Sequence, residues 1–103
     1  MGTFKKATRF SELEEGQIRG VTIDGDSIAL YRIDGQVFAT TDTCSHQKCS
    51  IEEFGTIVGE EVECMCHLAR FNIKTGQVTR LPAVKPLKTY QVKVEGEDVL
   101  IEL

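Results

Sequence analysis

The sequence predicts an all-β fold, an antiparallel sandwich or barrel with an inserted subdomain built from two loops. Short runs that alternate apolar and polar residues recur along the chain, as half-buried strands require. Turn pairs such as Asp24-Gly25, Asp34-Gly35 and Glu95-Gly96 separate these runs at hairpin spacing. No stretch carries three turns of helical periodicity. At 103 residues, with 41% hydrophobic and 27% charged residues and 2 Pro, the chain reads as one globular domain, residues 1–103.

Taken in order, residues 7–16 (Ala-Thr-Arg-Phe-Ser-Glu-Leu-Glu-Glu-Gly) suit a turn or single helical turn, with Ser11 as its cap and acidic residues following. Residues 19–24 alternate loosely, and Asp24-Gly25-Asp26 turns the chain. Residues 27–33 (Ser-Ile-Ala-Leu-Tyr-Arg-Ile) form a strand. Asp34-Gly35 joins it to residues 36–40, because Asp and Gly accept positive φ at low cost. Near the C-terminus, residues 90–94 alternate with period two and turn through 95–98 into residues 99–103. Residues 43–82 are poorer in strand pattern and hold every Cys and every His. Phe54, Phe71 and Tyr90 are read as core, and the pairs Glu52-Glu53 and Glu60-Glu61 as solvated.

Sixteen acidic residues against 12 basic ones give a formal net charge of −4. A nucleic-acid partner is excluded on that balance, because phosphate binding needs a cationic field. No apolar run reaches the 18 or more residues of a membrane span, and the N-terminus lacks the apolar core of a secretion signal. The expectation is a cytoplasmic monomer without a membrane partner. Four Cys beside 2 His then point to metal or redox chemistry before a disulfide framework.

Cys44-Ser45-His46 is followed, after 17 intervening residues, by Cys64-Met65-Cys66-His67. Two thiolates and two imidazoles on two loops suit a closed tetrahedral Zn²⁺ site or an iron–sulfur centre of mixed ligation. Zinc fingers usually place both Cys on one knuckle, whereas here each loop offers one Cys and one His. That division suits a two-iron cluster whose Cys pair holds one iron and whose His pair holds the other. Both histidines are thereby committed, leaving none for a catalytic triad, and no Gly-rich phosphate loop is present.

Cys44-x-His46, the gap and Cys64-x-x-His67 resemble the two boxes of Rieske [2Fe–2S] proteins. Residues 70–76 (Arg-Phe-Asn-Ile-Lys-Thr-Gly) and Leu81-Pro82-Ala83 resemble segments of the Rieske ferredoxins that serve bacterial oxygenases. The resemblance spans nearly the whole chain. It implies a Rieske-like β sandwich with a cluster-binding part at about 43–82. It further implies one [2Fe–2S] cluster, with Cys44 and Cys64 on the inner iron and His46 and His67 on the outer one. Its charge follows from the donors: two ferric ions, two sulfides and two thiolates sum to zero. The holoprotein keeps −4 and reaches −5 on one-electron reduction while the histidines stay protonated.

Two departures matter. Cys49 and Cys66 are left over, and their positions look like those of respiratory Rieske proteins, where the corresponding cysteines form a disulfide across the cluster loops. The resemblance thus implies a Cys49–Cys66 disulfide. Those respiratory proteins also carry a Ser and a Tyr that donate hydrogen bonds to sulfur; Ala69 and Phe71 stand at these positions and cannot donate. The potential is therefore expected near the low end of the Rieske range of roughly −150 to +300 mV.

The function implied is that of a soluble electron carrier, not an enzyme. It would pass one electron at a time from a reductase to a terminal oxidoreductase such as an oxygenase, with no small-molecule substrate. Lys48, Met65, Leu68 and Pro82 are expected to rim the docking face. The alternative is a subunit of the same fold that is not redox-active, or a zinc-binding interaction module.

Overall fold

A computed structural model describes residues 3–43, 49–65, 69–80 and 86–103. Among them the chain forms three antiparallel sheets. The first pairs β1 (Phe4–Arg9) with β11 (Asp98–Glu102), which pairs in turn with β10 (Val92–Glu95). The second runs β2 (Ile18–Ile23), β3 (Asp26–Ile33), β4 (Gln36–Thr41) and β9 (Thr89–Tyr90). The third, β5 (Gly55–Val58), β6 (Glu61–Cys64), β7 (Ala69–Asn72) and β8 (Val78–Arg80), is the insert. A single helical turn, α1 (Ile51–Phe54), leads into it.

The all-β expectation holds, with the insert more regular than foreseen: it is a four-stranded sheet whose ends carry the loops. The early segment also differs. Phe4–Arg9 is a strand, the turn that follows is a 3-10 turn over Phe10–Glu12, and its cap position is Arg9 rather than Ser11. Glu12 reaches back to accept a hydrogen bond from the Arg9 N–H at 3.3 Å, so the acidic residue closes the turn while Ser11 lies inside it. The run at 90–94 is two strands, interrupted at Gln91, and each belongs to a different sheet.

Strand β3 explains how the layers join. Its four central residues, Ile28 to Tyr31, are all buried. Successive side chains in a strand point to opposite faces. Ile28 and Leu30 enter one core with Leu13, Val37, Ala39, Val99 and Ile101. Ala29 and Tyr31 enter the other with Ile51, Val62, Cys64, Ala69, Phe71, Ile73 and Leu87. The insert therefore packs on the back of the second sheet through a shared apolar core. Burial also pushes the Tyr31 phenol well above its ordinary pKa, with a 2.7 Å hydrogen bond to Thr40 Oγ1 satisfying its hydroxyl.

The turn between β3 and β4 has positive φ at both central residues, 52° at Asp34 and 75° at Gly35, as Asp-Gly predicts. No helix among the described residues is long and apolar enough to cross a membrane.

Candidate metal centre

Strand β6 reads Glu-Val-Glu-Cys, and the alternation is realised: Val62 and Cys64 face the core, each 1% exposed, while Glu61 and Glu63 face out. On the outer face Glu63 pairs with Arg80 at 3.1 Å and with Arg70 at 3.6 Å. Cys64 ends the strand. Its register partners are Gly55 on β5 and Ala69 on β7, the two smallest residue types. A Cβ added at Gly55 would lie 2.5 Å from the Ile51 carbonyl oxygen and 3.1 Å from Val62. Only glycine lets β5 come so close to α1 beside Cys64.

The bases of the two boxes meet at α1. The first loop is closed by an antiparallel bridge between Thr43 and Ser50. Ser50 caps α1, accepting a 3.4 Å hydrogen bond from the Glu53 N–H. At the other end of α1, the Met65 N–H donates to the Phe54 carbonyl at 2.7 Å. The gap between the boxes is thus spent on one helical turn and the β5–β6 hairpin, which bring Cys64 and Met65 back to α1, whose capping residue Ser50 ends the first loop. Cys49, half-buried, packs against the core that contains Cys64 and Ala69.

Of the four expected ligands, Cys64 alone falls among the described residues; Cys44, His46 and His67 lie outside them, as do Cys66, Lys48, Leu68 and the 81–83 segment. Met65 is 52% exposed. Phe54 corrects the reading of it as core: it is 46% exposed, because it ends α1 on the solvent side next to Met65. Phe71 is fully buried, and Tyr90 is partly buried against the other core. Neither Ala69 nor Phe71, both completely buried on β7, offers a hydroxyl near Cys64.

The sequence reading passed over Asp42, Gly55 and Gly76. Ser50-Ile51-Glu52-Glu53 carries the Ser-x-x-Glu signature of a helix start and would have located α1. Gly76, with φ of +78°, accepts a 2.8 Å hydrogen bond from the Leu87 N–H and so fixes the chain just beyond residues 81–85.

Cys64 fits a metal-bound thiolate. A thiol in apolar surroundings stays protonated and inert, while a cation at the sulfur stabilises the charged form. Its flanks are the two smallest residue types, Gly55 and Ala69, and its surroundings are apolar, which suits a soft metal.

Comparison with known proteins agrees with this geometry. The family profile for the Rieske [2Fe-2S] domain matches residues 3–91. The biphenyl dioxygenase ferredoxin subunit of Pseudomonas sp. (strain KKS102) is 39% identical over 100 residues, covering 97% of this chain and 92% of that protein. Among solved structures, the ferredoxin of carbazole 1,9a-dioxygenase from Nocardioides aromaticivorans IC177 superposes with a TM-score of 0.90 at 32% identity, covering 96% of both chains. A chain from the complex of reduced oxygenase and oxidized ferredoxin in carbazole 1,9a-dioxygenase gives 0.91 at 34% identity, covering 99% of this chain and 94% of that one.

Proposed function

Because the chain belongs to the Rieske [2Fe-2S] domain family, we propose that it shuttles single electrons from a reductase to the oxygenase component of a ring-hydroxylating dioxygenase system. It is an electron-transfer protein with one Rieske [2Fe–2S] cluster rather than an enzyme. Cys44 and Cys64 would hold one iron, and His46 and His67 the other. When bound, the cluster supplies one reversible electron. The observation that carries this reading is Cys64, 1% exposed at the end of β6 and joined through α1 to the base of the first box.

The chain's own residues set the conditions for transfer. The apolar shell of Ile51, Val62 and Phe71 keeps water from the Cys64 side. With Ala69 and Phe71 offering no donor, the added electron on the sulfurs gains no hydroxyl hydrogen bond from this side, so the potential falls toward the low end of the range. Lys48, Met65, Leu68 and Pro82 form the docking rim in this reading. Phe54 joins Met65 there, since a half-exposed aromatic beside a half-exposed Met gives the docking face apolar surface that a partner can bury. The oxygenase as acceptor is supported by the ferredoxin–oxygenase complex among the similar structures.

A Cys49–Cys66 disulfide would staple the two loops. Supporting it, Cys49 packs half-buried against the core that holds Cys64, close to the base of the second box. A monomer working in the cytoplasm completes the proposal, checked by sedimentation and cell fractionation.

The decisive experiment is anaerobic purification followed by dithionite reduction and EPR. A red-brown protein with two irons per chain and a rhombic signal of the Rieske type is expected. A colourless protein with one zinc per chain would refute the reading.

A further inference from the structure

We infer that Asp42 is the positioning residue of the first ligand loop, holding both of its ends through side chain and backbone together. The inference rests on the proposed reading of residues 44–46 as carrying cluster ligands. Asp42 follows β4 directly and precedes Cys44 by two residues. Its N–H donates to the Ser27 carbonyl at 3.0 Å, which fastens it to the second sheet. Its carbonyl accepts the Ile51 N–H at 2.6 Å. One carboxylate oxygen accepts the Ser50 hydroxyl at 2.7 Å, and the other accepts the Glu52 N–H at 2.9 Å.

Three consecutive residues on the far side of the loop, Ser50, Ile51 and Glu52, are therefore held by one residue on the near side. The Thr43–Ser50 bridge adds a backbone pairing between them. The network continues outward. The Glu52 carboxylate accepts the Gly20 N–H of β2 at 2.7 Å. A Cβ at Gly20 would come within 2.7 Å of that carboxylate, so glycine makes room for the contact. The loop is thus closed against the scaffold by charge-assisted hydrogen bonds to an acceptor with both oxygens engaged.

Asp42 points its hydrogen bonds at the loop base and the N-terminal side of α1, and its role is to fix where the loop starts and ends. Its loss should free the loop while leaving the two apolar cores intact. The cluster would then be lost faster and sense an altered ligand geometry, without a matching loss of global stability.

The test compares the holoproteins of wild type, Asp42→Ala, Asp42→Asn, Ser50→Ala and Tyr31→Phe. Tyr31→Phe removes a buried hydroxyl from the core that Ile51 and Cys64 share, leaves the Asp42 hydrogen bonds in place and serves as the structural control. Decay of visible absorbance under a ferrous chelator, EPR g values, urea midpoint and amide exchange at Ile51 and Glu52 are read. Asp42→Ala should release iron on the order of 30-fold faster, equivalent to about 2 kcal/mol at about 1.4 kcal/mol per tenfold. It should also shift the g values and accelerate exchange at both amides. Ser50→Ala should fall between it and wild type. Asp42→Asn should largely rescue, because the carboxamide oxygen still accepts from Glu52 and its NH₂ can donate to Ser50 Oγ. Tyr31→Phe should lower the urea midpoint without hastening release.

Wild-type release, g values and exchange in both Asp42→Ala and Ser50→Ala would overturn the inference. If Asp42→Ala does not fold, Ser50→Ala and Asp42→Asn decide by the same readouts. A chain that binds no iron would defeat the cofactor reading instead, and amide exchange at Ile51 and Glu52 would then decide the role of Asp42 alone.

Discussion

Gly76→Ala should cost far more than an ordinary glycine replacement in a turn, and the structure says by how much. Gly76 has φ of +78°, and a Cβ built there would lie 2.1 Å from the Leu87 carbonyl oxygen and 3.1 Å from the Thr89 methyl. The Leu87 backbone would have to retreat by about 1 Å to restore even a tight contact. That retreat would break the 2.8 Å hydrogen bond from the Leu87 N–H to the Gly76 carbonyl and pull Leu87, 3% exposed, from the core. The left-handed conformation costs an alanine about 1 kcal/mol; the lost hydrogen bond and reduced burial add about 2 kcal/mol more. Gly25→Ala is the matched control, because Gly25 has φ of +85° and nothing within 4 Å of its Cβ position. It should carry only the conformational cost. Urea unfolding of the two variants in parallel, followed by far-UV circular dichroism, should separate their midpoints by about 1 M, given a slope of about 2 kcal/mol per M. Coincident midpoints would refute the claim that the Gly76–Leu87 contact fixes the chain beyond residues 81–85.

Three further perturbations probe other parts of the molecule. The backbone N–H groups of Gly35 and Asp34, then Arg32, hold the Glu15 carboxyl below its ordinary value of 4.5. Its stabilising contribution is therefore present above that value and disappears as pH falls through the lowered one; Glu15→Gln should unfold more easily at pH 7 but match wild type near the acid limit of a pH series of thermal melts. Ala69→Ser places a hydroxyl beside Cys64 across the β6–β7 pairing, and a hydrogen bond favouring the reduced state by about 1.4 kcal/mol should raise the potential by about 59 mV in a redox titration. Phe54→Ala and Met65→Ala should each raise the KM for the ferredoxin in oxygenase-coupled turnover by about tenfold, with the potential unchanged, if the two exposed apolar side chains form the centre of the docking face.

The hairpins were legible because their signals are local. Alternation over β3 and β4 and the Asp34-Gly35 turn each act within a few residues, and the structure follows them. Tyr90 to Val94 misled because alternation reports faces and not partners: β9 pairs with β4 and β10 with β11, and the chain changes sheets at Gln91. The insert was obscure for a different reason. Its strands are three or four residues long, shorter than any window in which a period of two can be told from chance. Phe54 was misplaced because residue type reports a cost of exposure and not whether a partner exists. Asp42 carried no signal, since its partners, Ser27 apart, are recognised only once the loop has closed.

The Cys/His spacing was readable because ligation constrains residue identity, yet the placement of those residues depends on glycines and backbone contacts. Each segment of the site is fastened to something rigid by the main chain. The first loop is tied to β3 through Asp42 and Ser27, the second to α1 through Met65 and Phe54, and the segment beyond β8 to the β7–β8 turn through Leu87 and Gly76. Such contacts tolerate changes of side chain at most positions but not an added Cβ at Gly55 or Gly76. That is the arrangement an electron carrier needs. Transfer is fast when the donor and acceptor states share one geometry, and the three backbone ties hold the described ends of these segments against movement when the charge changes. The same change of charge falls on a chain that already carries −4. If a partner drawn by that field at long range docks on uncharged Phe54 and Met65, as proposed, its attraction need not weaken sharply once the electron has left.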